Sequence, residues 1–300
     1  MCERMIIETR FTHGRHLVVG TMLALVCFAV SGLSLAYAAG QSIGEARPRV
    51  KRIVSLGPTV TEKLYLLGAQ DRLIGVTTYC VRPVEACKKE KVGNVTEVNV
   101  ERIIELKPDV VFATSLTDRR SVENLKRLGM RLIVFAEPKS YAETNVQFLE
   151  LGRMVGKEKE AQEIVEATGR KVDAIRSRIE GLPPPKVFVQ LGAKPLFAAT
   201  KGSFVNDFVE FAGGINIARD AGTGFYSREE VLKEDPDVII IVGMDRAAES
   251  EKRTWQKFQV LKAVKNGRIF IMDSYRVCSP TPQTFVDALE EMVAALHPGA

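Results

Sequence analysis

Residues 157–180 read KEKEAQEIVEATGRKVDAIRSRIE, and their spacing decides the fold. Ala161, Ile164, Val165, Thr168, Val172, Ile175 and Ile179 recur at intervals of three and four, so they share one face of a continuous helix. At 1.5 Å per residue such a helix runs roughly 35 Å, about the diameter of a small domain. The GLPPP run at Gly181–Pro185 ends it, because proline supplies no N–H and clashes with the preceding turn. Gly169 within it is a mild entropic cost.

On either side of this helix, short apolar runs alternate with helical patterns. RIVSL (Arg52–Leu56) reads as a strand. Thr59 and Glu62 have the spacing of a capping box for a helix through TEKLYLLGA, which stops at Gly68. Strand RLIGV, helix 99–107, strand VVFA, helix 117–128 and strand RLIVF follow. The alternation resumes after the prolines with strand KVFVQL, helix 203–212, helix 227–233 and strand DVIIIV. A helix near Trp255, strand RIFIM and a last helix from about Thr284 to Leu296 complete it. Strands separated by helices of this length imply βαβ units and parallel sheets. The expected fold is α/β: two Rossmann-like lobes, 48–140 and 182–298, joined by a helical linker, 141–181, that contains the long helix. Ligands of such sheets bind beyond the strand carboxyl ends and in clefts between lobes.

One phrase occurs in both lobes. NVERIIELKPDVVFA (Asn99–Ala113) and SREEVLKEDPDVIII (Ser227–Ile241) each place a glutamate, Glu101 or Glu229, two residues after a capping residue. Each places an aspartate after a proline, Asp109 or Asp237, eight residues further on. An acid in the first helical turn is favoured by the macrodipole, typically by about 0.3–1 kcal/mol, which is one reading of the glutamates.

Composition is that of a globular protein, with 46% hydrophobic and 26% charged residues. The net charge of +5 comes without a basic run, so nucleic acid is not an expected partner. Arg4, Arg10 and Arg15 precede an uncharged stretch, Leu17–Leu35, followed by Ala-Tyr-Ala at 36–38. This reads as a signal peptide over 1–38 and implies export. The stretch is also long enough to span a bilayer, so a retained anchor is the alternative. Cys27 suggests lipidation, but Val26 precedes it where a small residue is expected. In an oxidising compartment, Cys80 and Cys87 of YCVRPVEACKK could close a small disulfide ring or stay as thiols. The chain has three histidines, and His13 and His16 fall in the signal while His297 lies near the end. Without interior histidine, Ser-His-Asp or Cys-His catalysis and a bare zinc site are disfavoured; no cofactor and no metal ligand set is expected.

RIVSLGPTVTEKLYLLGAQDRLIGVT, VGNVTEVNVERIIELKPDVVFA, LKRLGMRLIVF, SFVNDFVEFAGGINIA and YSREEVLKEDPDVIIIVG occur in this order. Together they resemble the periplasmic substrate-binding proteins of ABC importers for iron-siderophores, haem and vitamin B12, over about Arg52–His297. The resemblance implies a periplasmic, monomeric, non-enzymatic receptor. Its ligand, a metal chelate, would sit between lobes that close modestly and pass to a permease dimer with ATPase subunits. Contact with the membrane would come through the importer or a retained N-terminal segment. It further implies that Glu101 and Glu229 dock on arginines of the two permease subunits, leaving Glu230 as the capping-box partner of Ser227.

Cleft loops in this fold follow strand ends, so the ligand-binding candidates are Tyr79, Thr114, Ser115, Arg119, Phe197, Phe225, Tyr226, Tyr275 and Arg276. For each aromatic the alternative is core packing or ordinary surface, and for each arginine a solvated surface. Cys278 is a further candidate, as a soft thiolate facing the ligand. In the B12 binders tryptophans from these loops pack on the corrin; here Thr114 and Thr223 stand in their places. The single tryptophan, Trp255, falls on a helix of the second lobe. CSPTPQ also departs from the family, with Gln283 where an arginine is common. The runner-up function is an exported, carboxylate-dependent, glycan-acting enzyme using Asp207 or Asp220.

Overall fold

The computed structural model describes residues 50–300 apart from Met244, with the backbone alone at Asp245. The signal peptide, Cys27 and their alternatives lie outside the described residues.

The first sheet has four strands: β1 (Ile53–Ser55), β2 (Leu73–Val76), β3 (Val110–Thr114) and β4 (Leu132–Phe135), in the order β2-β1-β3-β4. All three pairings are parallel. The crossovers carry α1 (Pro58–Leu66), α2 (Val100–Glu105) and α3 (Arg119–Arg127). Central strands buried on both faces explain the unbroken apolar runs IVS and VVFA. The capping box expected at Thr59 and Glu62 does not form: α1 begins two residues earlier, with Pro58 at its start and Gly57 as a cap without a side chain. Proline at the first helical position suits the geometry without a side-chain cap.

α4 (Tyr141–Met154) and α5 (Glu158–Arg178) follow. The long helix is continuous, as its periodicity implies, and its apolar face changes partners midway. Ala161, Ile164 and Val165 pack with Phe148, Leu151 and the first-lobe core. Val172, Ile175 and Ile179 pack with Phe208, Phe285 and the second-lobe core. One rigid element therefore serves two cores. Tyr141, at the start of α4, stacks on Phe285 with ring centroids 4.2 Å apart. The Tyr141 N–H also donates to Asp207 Oδ2 at 2.7 Å.

The second sheet has five strands, built on β5 (Lys186–Ala193), β8 (Val238–Gly243) and β9 (Ile269–Asp273). β6 (Leu196–Ala198) folds back antiparallel on β5, and β7 (Ile215–Asn216) pairs parallel with it. This short hairpin is absent from the sequence expectation, which ended the strand at Leu191; GAKPLFA offers too few alternating residues to signal it. The lobe is completed by α6 (Val205–Phe211), α7 (Arg228–Glu234), α8 (Asp245–Trp255), α9 (Lys262–Lys265), α10 (Ser274–Cys278) and α11 (Pro282–Leu296). Trp255 is fully buried, and its indole N–H donates to Gln190 Oε1 at 2.6 Å. Among the described residues no helix is long and apolar enough to cross a membrane.

The repeated phrase has a structural basis. Asp109 Oδ2 accepts from the N–H groups of Lys51 and Arg52, at 2.7 and 2.9 Å. Asp237 Oδ2 accepts from Lys186 N–H at 2.8 Å. Each aspartate thus ties its strand to the entry of the neighbouring one. Two residues before each aspartate the backbone turns left-handed, at Lys107 and Asp235, both with φ of 47°. Backbone hydrogen bonds hold the Asp109 carboxyl below its ordinary range.

Candidate functional site

A cavity of about 290 Å³ lies between the sheets, lined from both sides of the chain. The first lobe supplies the start of α1, the loop at Tyr79, the end of β3 at Thr114–Leu116 and the end of β4 at Phe135–Pro138. The second supplies Phe204 and the α10 segment at Tyr275 and Cys278–Pro280. These are strand carboxyl ends, as the topology requires. The walls are largely apolar and close-fitting: a Cβ on Gly57 would lie 2.4 Å from Thr114 Cγ2, so any other residue there would force the Thr114 side chain to shift.

Four of the nine ligand-binding candidates line this cavity: Tyr79, Thr114, Ser115 and Tyr275. Tyr79 is 63% exposed at the rim. Among the described residues, the buried Thr114 Oγ1 and Tyr275 hydroxyl have no hydrogen-bond partner. Burial pushes the Tyr275 phenol well up, reinforced by the Glu62 charge.

The other five lie elsewhere. Arg119 is on the outer surface, paired with Glu123 at 2.7 Å with its side chain 92% exposed. Phe197 and Phe225 form an edge-to-face pair at 5.5 Å, brought together by the isolated bridge between them. Tyr226 packs on Phe188 in the second-lobe core, its hydroxyl donating to Ile217 O. Arg276 is held by Asp273 and Glu291, at 3.9 and 3.5 Å. Strand-end reasoning finds the right loops but cannot say which side of a loop turns inward.

Cys278 does line the cavity. Burial pushes its thiol up to about 11, with Glu137 and Asp273 adding to the effect, so it is a neutral thiol at physiological pH. The Cys80–Cys87 ring does not form. Cys80 Sγ is buried between the hydroxyls of Thr61 and Thr77, each at 3.1 Å, while Cys87 is exposed on a helical turn at 84–88. Both are free thiols because the turn points them to opposite environments.

Beside the cavity, Arg82 reaches from the first lobe to Asp273 of the second at 2.8 Å and covers the Tyr275 ring at 4.2 Å. Burial alone would raise the Asp273 carboxyl, but the Arg82 and Tyr275 N–H bonds and the arginine charges hold it low. Glu62, on α1, has a buried oxygen without a partner among the described residues, and burial raises its carboxyl against the pull of Arg82 and Lys63.

Sequence reasoning missed Lys63. It lines the cavity and is only 5% exposed, and no hydrogen bond or ion pair holds its amine among the described residues. The signal was legible: Val60, Lys63, Leu64 and Leu67 are spaced as one apolar helix face, and the lysine interrupts it.

The glutamates of the repeated phrase lie apart from the cavity lining. Glu101 follows the cap Asn99, and Glu229 follows Ser227 in a complete capping box with Glu230. Both are exposed and make no ion pair among the described residues. Among the described residues no three His, Cys, Asp or Glu side chains group as a metal site would require. Asp207 is bound by the Tyr141 N–H and Asp220 by Lys201 at 2.8 Å, so neither forms the paired carboxylates a glycan-cleaving site needs.

The sequence profile of the family described as periplasmic binding protein matches residues 53–275, and the chain belongs to that family. It is 30% identical to the uncharacterized ABC transporter substrate-binding lipoprotein YvrC of Bacillus subtilis (strain 168), over 83% of this chain and 80% of that one. Among solved structures it is similar to the periplasmic vitamin B12 binding protein of Vibrio cholerae. There the TM-score is 0.69 and the identity 27%, over 82% of this chain and 96% of that one. It is also similar to a possible iron-binding (periplasmic solute-binding) protein from Staphylococcus epidermidis ATCC 12228. That match has a TM-score of 0.74 and 28% identity, over 82% and 98% of the two chains. The chain is therefore a substrate-binding protein of the ABC transporter class, extracytoplasmic, with an importer as partner and a small molecule as ligand; it is not an enzyme.

Proposed function

We propose that this chain is an exported, monomeric receptor that captures a small metal chelate between its lobes and delivers it to the permease dimer of an ABC importer. The cavity carries the reading: both lobes line it, its walls are mainly apolar, and polar groups face it without protein partners. A pocket of that kind suits a bulky chelate with a few polar contacts. Likeness to vitamin B12 and possible iron binders supports the chelate class. Trp255 is locked in the second-lobe core, so stacking on a flat ring would fall to Tyr79, Phe135, Phe204 or Tyr275. The equivalent exposed carboxylates Glu101 and Glu229 support docking with one contact per permease subunit. Export through the segment at 1–38 completes the reading.

The test is an absorbance titration with haemin, cyanocobalamin, ferric enterobactin and ferrichrome. At least one should saturate at one equivalent with a shifted spectrum. Failure of all four overturns the chelate reading.

A further inference from the structure

We infer that Lys63, together with the uncapped first turn of α1, forms an anion subsite in the cavity that receives a negatively charged oxygen group of the captured ligand. This deepens the chelate reading and rests on it. Three observations converge. Lys63 is 5% exposed, lines the cavity and has no protein partner among the described residues. Buried charges are ordinarily paired, so a solitary buried ammonium facing a ligand cavity implies a partner supplied from outside.

The helix geometry adds a second donor set. α1 starts at the cavity wall with Pro58, Thr59 and Val60 among the lining residues. Its cap, Gly57, offers no side-chain acceptor, and its first turn holds no acid. The first N–H groups and the positive end of the dipole are therefore free to meet an anion. Lys63 stands three and four residues after Val60 and Thr59, on the same face, and helical side chains lean toward the N-terminus. The amine and the helix start thus converge on one region of the cavity.

The charges around the amine are few. Burial lowers Lys63 to about 8, and the neighbouring Glu62 opposes that shift. Glu137 is exposed where β4 ends, and Arg82 and Asp273 occupy each other. Of the other groups that face the cavity, Cys278 titrates at about 11 and the Tyr275 phenol higher still. Over pH 7 to 9 the charge at the subsite is set by Lys63. An anion beside it would raise its pKa, so binding should draw in a proton near pH 8, and affinity should fall as the free amine loses its charge.

The experiment compares wild type, Lys63→Met and Lys63→Arg by calorimetry against matched probes. Haemin is set against its dimethyl ester, and trianionic ferric enterobactin against uncharged ferrichrome. Wild type should prefer the anionic member of a pair. Lys63→Met should lose tenfold or more for that member and less than threefold for the neutral one, and Lys63→Arg should keep most of the affinity. The fall in affinity from pH 7 to 9 should disappear in Lys63→Met. If wild type binds neither these probes nor cyanocobalamin, the chelate reading falls and this inference with it; if it binds cyanocobalamin alone, the chelate reading stands and the anion subsite is overturned. If binding occurs but Lys63→Met matches wild type, or loses both members of a pair equally, the chelate reading stands and the anion subsite is overturned.

Discussion

The second-lobe core and the margin of the cavity bury polar groups in opposite ways. In the second-lobe core around Trp255 the polar side chains are paired: Gln190 bonds both Trp255 and Glu251, at 2.6 and 3.0 Å. Arg228 bonds Glu251 at 2.7 Å and covers the indole. Asn216 likewise bonds Asn206 and Ala199 O. At the cavity margin, Lys63 and one oxygen each of Glu62, Thr114 and Tyr275 lack partners among the described residues. Satisfied networks fix a core in one arrangement, whereas unsatisfied groups at a cleft lower stability and await a ligand. The second-lobe core is a scaffold under the α7 tip, and in the proposed reading the cavity margin carries the recognition chemistry.

The largest test of this contrast is Trp255→Ala. It removes a fully buried aromatic and orphans Gln190, so it should destabilise by about 3–5 kcal/mol in chemical denaturation. A loss under about 1 kcal/mol would mean that the network is ornamental.

Lys63→Met should act the other way. Below pH 8 the folded protein must hold a proton on an amine whose pKa has fallen from 10.5 to about 8. That difference corresponds to about 3 kcal/mol, which the substitution should return as added stability at pH 7. The unfolded chain binds more protons between those two values, so wild-type stability should rise with pH across that window. The advantage of the variant should shrink toward zero above it. An advantage independent of pH would place the gain in packing.

Smaller effects should separate the two copies of the repeated phrase. Asp109 accepts two backbone N–H groups and Asp237 accepts one. Asp109→Ala should therefore cost about 2 kcal/mol and Asp237→Ala about 1, read from denaturation midpoints. The Asp109 contribution should fade as pH falls below the ordinary carboxylate range, because its folded-state pKa is depressed. Equal costs would sink the argument that the number of bonds sets the difference.

Least disturbing to the fold should be Glu101→Lys with Glu229→Lys. Each loses at most a dipole interaction of about 1 kcal/mol, and ligand affinity should be unchanged. Transport in a reconstituted importer should nevertheless be abolished. A double variant that loses ligand binding but still docks would show that the docking face has been misplaced.

Much of this was readable before any coordinates. The period of residues 157–180 determined the bridging helix, because only a helix puts spacings of three and four on one face. Apolar runs between helices determined the parallel pairings of both sheets, though not the antiparallel β6, and the repeated caps placed Glu101 and Glu229 on exposed first turns. These are local properties, fixed by backbone geometry over a few residues. Tertiary structure alone decided which residues turn into the cavity. Thr114 and Tyr275 face it while Arg119 and Tyr226 do not, although all four sit at strand ends, in loops or at helix starts. It also separated Cys80 from Cys87, a pair whose spacing permitted a bond. Lys63 stands between the two cases. Its place on an apolar helix face is written in the sequence, but that face meets a cavity only because the second lobe, carried across by α5, encloses it.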